Sequence, residues 1–188
     1  IYDEHVKQKR LEFSKIPKNE NDKKWVKSNL SFMVDIDQYM RRYTNTPHTM
    51  SYSKKEKEYF WKHFSQRFAD MDKANTTELK GLLDIYDWFT ISEFGKKADN
   101  NAWLLVQHAD LDHDFQKEVL EILEKLWKSG ETNSRNDAYL FDRVAASLND
   151  PTKRVPQRYG TQGACVGPGK WEPIEMEEPD NVDERRNE

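Results

Sequence analysis

Asn101-Ala-Trp-Leu-Leu-Val-Gln-His-Ala-Asp-Leu-Asp-His-Asp-Phe115 is the most apolar run of a strongly polar chain, and it ends in a cluster of imidazole and carboxylate groups. Ala102, Leu105 and Ala109 fall on one helical stripe, while Trp103, Leu104 and Val106 fill the other sides. A helix that is apolar all round is a buried one. The pattern predicts a central, enclosed helix, with Gln107 and His108 emerging at its end, where polar groups require partners.

Working outward, Thr90-Ile-Ser-Glu93 fits a capping box and predicts the start of that helix, which then runs through Phe94 and Ala98. Downstream, Asp112 reads as the N-cap of a helix that turns Phe115, Val119, Ile122, Leu123 and Leu126 inward and stops at Gly130. A further helix is expected from Ser134 to Leu148, buried through Ala138, Phe141, Val144 and Leu148 and closed by Asp150-Pro151. Upstream, a short helix is expected over Asp3–Ser14. Asn21 or Asp22 then caps a helix carrying Trp25, Val26, Leu30, Met33, Val34, Ile36 and Met40, which should end before Asn45-Thr46-Pro47. Ser53 opens the next, with Tyr59, Phe60, Phe64, Phe68 and Met71 on its apolar side. A separate short helix is expected from Thr76, with Leu79, Leu82, Leu83 and Ile85 inside.

After Pro151 the character changes. Pro156 and Pro168, with Gly160, Gly163, Gly167 and Gly169, indicate a loop-rich region whose candidate strands are Gln157–Gln162 and Lys170–Met176. The fold class expected is mainly α: a single-domain helical bundle with an irregular C-terminal segment containing a short β-hairpin. Residues 1–74 form its N-terminal helical region, residues 75–188 the rest of the same compact domain, and residues 171–188 an acidic tail.

Charge narrows the function classes. The net charge of -4 conceals a tail, Trp171–Glu188, with eight acids and two arginines, while residues 1–170 carry 28 basic and 26 acidic side chains. Neither part has the concentrated positive charge that nucleic-acid binding requires. No apolar run approaches the roughly 20 residues of a membrane helix. The lone Cys165 excludes an internal disulfide and a multi-cysteine metal site, and it sits between glycines without a cationic neighbour to activate it. The chain starts at Ile1, which fits either a cytoplasmic protein, the favoured reading, or an exported one relieved of an upstream segment.

Four clusters join reactive residue types to a buried or glycine-rich setting: Gln107-His108-Ala109-Asp110, Tyr139-Leu-Phe-Asp142-Arg143, Gln157-Arg-Tyr159-Gly160-Thr161-Gln162 and Asp183-Glu-Arg185-Arg186. In the form Ala102-Trp-Leu-Leu-Val-Gln-His-Ala-Asp110, Ala138-Tyr-Leu-Phe-Asp-Arg-Val144, Gln-x-Tyr-Gly-Thr-Gln and Val182-Asp-Glu-Arg-Arg186, they resemble, in the same order, a bacterial domain family of unknown function. The resemblance covers roughly Asn75 to Arg186 and implies no mechanism. The chain departs from the family pattern at Asp87-Trp88-Phe89, where Gly-Trp-Pro is expected, and at His113, where proline is expected after Asp112. Proline suits the first helical position, so the residue expected there supports Asp112 as the cap and makes His113 incidental to a shared site.

The residue types leave two classes of function open. In the first, an enzyme for hydrolysis or group transfer, His108 is general acid or base because imidazole titrates near neutrality, and Asp110 or Asp142 orients it. Gln107, Tyr139, Gln157, Tyr159, Thr161 and Gln162 then position a polar substrate, and Arg143 with Arg185 holds its negative end through the planar guanidinium fork. In the second, the same groups bind a ligand or a protein, or fasten the C-terminal segment, without chemistry. His108, Asp110, Asp112, His113 and Asp114 superficially resemble a metal-binding string, but the helix must break among them, and no metal ligand is assigned. The ligand expected is a small anionic or polar molecule, no cofactor is identified, and oligomeric state is not encoded in any pattern. If the four clusters build one site, His108, Asp142 or Arg143, and one of Gln157, Tyr159 and Gln162 should line a single pocket. A serine-hydrolase elbow and a phosphate-binding P-loop are both absent from the sequence.

Overall fold

The structure, a computed structural model, describes residues 2–44, 52–147, 150–167 and 169–187. Among them are eight α-helices and one two-stranded antiparallel hairpin near the C-terminus, the mainly α class expected. None of these helices is long and apolar enough to cross a membrane. The chain divides into two compact units, residues 1–89 and 90–188.

The first unit holds α1 (Tyr2–Phe13), α2 (Lys23–Thr44) and α3 (Lys54–Tyr86). Asp22 opens α2 by accepting from the Lys24 N–H at 2.9 Å. Trp25, Val26, Leu30, Met33, Ile36 and Met40 then bury one stripe of it, with Val34 only half-buried. Polar bridges fix its register on α3: Asn29 donates to Glu78 at 2.8 Å, and Arg41 spans the buried Asp37 (3.1 Å) and Asp72 (2.7 Å). Ser53 and Glu56 form a reciprocal capping box at the start of α3.

The second helix expected from Thr76 does not exist, because α3 continues unbroken for 33 residues. The Thr76 and Thr77 hydroxyls donate back to the carbonyls of Asp72 (2.8 Å) and Lys73 (2.9 Å) instead of capping a new helix. Its apolar side is also less covered than the pattern predicts: Phe64, Leu79 and Leu82 are buried, but Tyr59 and Ile85 are exposed. The expected stop at Asn45-Thr46-Pro47 and the burial of Leu148 lie outside the described residues.

The second unit carries α4 (Ile91–Phe94), α5 (Lys96–Gln107), α6 (His113–Leu126), α7 (Ser134–Ala146), β1 (Gly163–Gly167), β2 (Lys170–Pro173) and α8 (Val182–Arg186). The expected continuous central helix is two helices, divided at Gly95, whose φ of +82° lies in the region glycine tolerates. Thr90 makes no side-chain cap. The incoming turn is instead held from afar by Glu131, whose carboxylate accepts from the Ser92 N–H at 3.0 Å and whose carbonyl accepts from the Ile91 N–H at 2.9 Å.

The apolar reading of α5 holds: Ala98, Ala102, Leu105 and Val106 are buried. So is Asp99, whose burial no apolar pattern signals. It accepts from Thr132 Oγ1 at 2.6 Å and Asn136 Nδ2 at 3.0 Å, fastening α5 to the start of α7. Asp112 caps α6 through the Phe115 N–H at 3.2 Å, and Phe115, Val119, Leu120 and Leu123 face in. Gly130, at φ +74°, closes the 3₁₀ turn that follows α6.

The buried face of α7 differs from the one expected. Phe141 and Val144 are half-buried, whereas Leu140, Ala145, Ala146 and the polar Asn136, Asp137 and Asp142 are inside. Asp150-Pro151 opens a 3₁₀ turn and does not end α7, which stops at Ser147 in a left-handed conformation. The hairpin is also shifted. Gly163 pairs with Pro173 and Cys165 with Trp171, so the first strand begins after Gln162. Residues 157–162 form an irregular loop, with a single bridge between Gln157 and Met176.

Candidate functional site

The loop 158–162 is held from both sides. Below it, Asp142 on α7 is completely buried and accepts three backbone N–H bonds, from Arg158 (2.8 Å), Tyr159 (3.0 Å) and Thr161 (2.8 Å). Above it, the two arginines of α8 take the loop carbonyls. Arg185 Nε donates to Arg158 O at 2.9 Å, and Arg186 donates to Tyr159 O through Nε (3.0 Å) and Nη2 (2.8 Å). Arg185 Nη2 also donates to Glu177 O and Glu178 O, at 2.5 and 3.2 Å. The N–H groups of Arg158, Tyr159 and Thr161 and the carbonyls of Arg158 and Tyr159 thus find partners without a partner strand.

Gln157 is the hinge pin of the same segment. It is fully buried, and its amide Nε2 donates to Gln162 O (2.8 Å) and Ile174 O (2.6 Å) while Oε1 accepts from Gln162 N (2.9 Å). Arg143 ties the loop to the end of α5. It grips Asp110 with two bonds, of 2.8 and 2.6 Å, and donates Nη1 to Gln162 Oε1 at 3.0 Å. A two-pronged guanidinium–carboxylate pair of this kind is strong and directional. Gln116 on α6 adds a bond to Asp110 at 3.3 Å and one to Val106 O at 3.0 Å.

These bonds change what the expected site residues are free to do. Asp110 and Asp142 were the groups expected to orient His108. Asp110 is committed to Arg143 and Gln116, and Asp142 to the loop backbone. Arg143 and Arg185, expected to clamp an anion, already spend their donors on Asp110, Gln162 and backbone carbonyls. His108 sits half-buried as the C-cap of α5. Gln107 is buried and its Nε2 finds no acceptor.

Two cavities flank the network. The larger, about 670 Å³, is lined on one side by Trp127 and by Ser134, Arg135, Asp137, Ala138 and Tyr139 of α7, and on the other by Tyr159, Gly160, Thr161, Trp171, Arg185 and Arg186. The smaller, about 300 Å³, is lined by Asp110, Leu111, Asp112, His113, Asp114, Gln116, Ser147, Asp150 and Lys153. Of the expected ligand-binding residues, Tyr139, Tyr159, Thr161 and Arg185 meet in the larger cleft. Gln107, Arg143, Gln157 and Gln162 do not line it. His108 lines neither cavity, so the single pocket expected to join it to Asp142 or Arg143 is not formed by these two. In the smaller cavity, burial and the nearby Lys117 and Lys153 lower the pKa of His113. Among the described residues no three His, Cys, Asp or Glu side chains are placed to hold a metal ion together.

The larger cleft also contains residues the sequence did not single out. Asp137 is 9% exposed, and no group of the described residues donates to its Oδ1. Burial, with the Glu124 carboxylate as a second cause, pushes its pKa up to about 6, against the opposing pull of Arg158 and Lys128. In the sequence Asp137 reads as an ordinary first-turn acid complementing the helix dipole, which is why it gave no signal. Trp171 is hidden by its position at the head of an acidic tail.

The arrangement defines a class before it defines a function: a helical unit that folds its own C-terminal segment across α7 and frames an aromatic cleft in doing so. The chain belongs to the family of unknown function DUF6624, whose model matches residues 26–188. The match thus begins well ahead of the four motifs, within α2. Comparison with curated proteins and with solved structures found no match.

Proposed function

We propose that this protein is a ligand-binding module whose site is the cleft between α7 and the C-terminal segment, and that the polar motif residues build that site without performing chemistry in it. The observation that carries this reading is the division of labour around the loop. Asp110, Arg143, Asp142, Gln157, Arg185 and Arg186 are consumed in holding the segment, while the aromatic rings of Trp127, Tyr139, Tyr159 and Trp171 line an open cleft beside it. A cavity of about 670 Å³ lies within the usual range for small-molecule sites, and aromatic walls with a few polar groups are their usual lining. The ligand class is a small polar molecule with a flat face for those rings. This reading is favoured over a hydrolase in which Asp110 or Asp142 orients His108, because Asp110 is bonded to Arg143 and Asp142 to the loop backbone.

The test is a thermal-shift screen of metabolites on wild type, Tyr139→Ala and His108→Ala, since a ligand raises the melting temperature by mass action. The expected result is a set of hits that Tyr139→Ala loses and His108→Ala keeps. Hits lost in His108→Ala but kept in Tyr139→Ala overturn the reading and restore the catalytic one.

A further inference from the structure

Asp137 is the one carboxyl group of the cleft that holds nothing. It lines the wall beside Tyr139, is nine-tenths buried, and has an oxygen shielded from solvent with no donor among the described residues. A buried carboxylate without a hydrogen bond is costly, and such a group in a cavity wall is satisfied when a ligand supplies the donor. Oδ1 is the shielded oxygen, so a ligand meets both oxygens only when the side chain swings about χ1 and χ2 to present its edge to the cleft. The neighbouring walls set the shape of that donor. Tyr139, Tyr159, Trp127 and Trp171 line it with aromatic rings, against which a flat ring packs offset or edge-on.

The charge at the rim, above all that of Arg135, disfavours a simple organic cation. Arg185 and Arg186 line the same cleft, but each also faces a carboxylate of its own segment, Glu178 at 3.8 Å from Arg185 and Asp183 at 3.2 Å from Arg186, which offsets part of their charge. Arg135, exposed on the first turn of α7, adds a third guanidinium. A ligand bringing another positive charge meets the repulsion of Arg135, whereas a neutral ring with N–H donors does not. Such a ring carrying an acidic substituent also gains from Arg135.

Building on the binding reading above, we infer that the cleft takes a flat nitrogen heterocycle presenting two adjacent N–H donors to Asp137, the 2-amino-oxo edge found in guanine, with an anionic tail directed to Arg135. Paired N–H donors match the two oxygens of one carboxylate, so the edge is recognised as a unit. An analogue lacking the exocyclic amine leaves one oxygen unpaired in a buried setting, which is the condition under which hydrogen-bonding sites discriminate strongly.

Isothermal titration with guanosine monophosphate, guanosine, inosine monophosphate and adenosine monophosphate tests this on the full chain. The guanine nucleotide should bind most tightly. Guanosine should lose about threefold or more for want of the tail, and the inosine and adenosine nucleotides about tenfold or more. Asp137→Asn, whose circular dichroism and melting temperature report folding, should weaken the guanine nucleotide at least tenfold, and Arg135→Ala should bring it to the level of guanosine. Equal affinity in wild type and a folded Asp137→Asn, or equal affinity for the guanine and adenine nucleotides, overturns the inference. So does the absence of binding by any of the four. In that last case, metabolite hits still lost in Tyr139→Ala leave the cleft as the site and reject only this ligand class.

Discussion

Two aspartates five residues apart on α7 are both buried and meet opposite fates. Asp142 receives three backbone N–H bonds and is a finished structural element. Asp137 receives none, and its burial pushes its pKa up to about 6. The stability consequence follows from that direction. A carboxyl whose folded-state pKa is raised favours the fold while protonated, so its contribution is complete below the unfolded value near 4 and is lost as pH rises through 6. Asp137→Asn removes the titration. The variant should match wild type near pH 4 and become the more stable by about 2 kcal/mol at pH 8, measured by urea unfolding across that range. A difference that stays constant with pH contradicts the burial account of Asp137. The same side chain then carries a stability cost and a recognition role, a trade commonly found at binding sites.

At the scale of elements, what the sequence disclosed and what it concealed separate by the range of the interaction. Asp22, Ser53 and Asp112 cap their helices through bonds two or three residues away, and each was readable from spacing. The break at Gly95 was hidden because Glu131, nearly forty residues on, holds the turn that Thr90 was expected to cap. The buried face of α7 departs from its apolar periodicity for a related reason. Its inner side is polar at Asn136 and Asp142 because each meets a distant partner, and apolar periodicity carries no record of such partners. Within the clamped loop, Gly160 is legible only as a glycine. Its φ is +66°, and a Cβ there would stand 2.5 Å from the Met176 sulfur and 3.3 Å from an Arg186 nitrogen. Gly130 has a similar φ of +74° but open space around it. Gly130→Ala should therefore cost about 1 kcal/mol, the conformational penalty alone. Gly160→Ala should cost about 2–3 kcal/mol, because the neighbours must also move. Equal losses in chemical denaturation would mean that the segment carrying Met176 and α8 does not press on the loop.

Across the whole molecule, the four motif clusters belong to one mechanical device. The end of α5 supplies Asp110, α7 supplies Arg143 and Asp142, the loop supplies Gln157 and Gln162, and α8 supplies Arg185 and Arg186. Their order along the chain was visible, and their residue types suggested an active centre. Their mutual bonding was not visible, and it favours a scaffold for the cleft beside them. Amide hydrogen exchange on wild type and on Arg185→Ala/Arg186→Ala tests the clamp most directly. The amides of Arg158, Tyr159 and Thr161 should be protected in wild type and exchange at least tenfold faster in the double variant, while α5, α6 and α7 keep their protection. Rapid exchange of those three amides in wild type, or protection unchanged when both arginines are gone, contradicts the account.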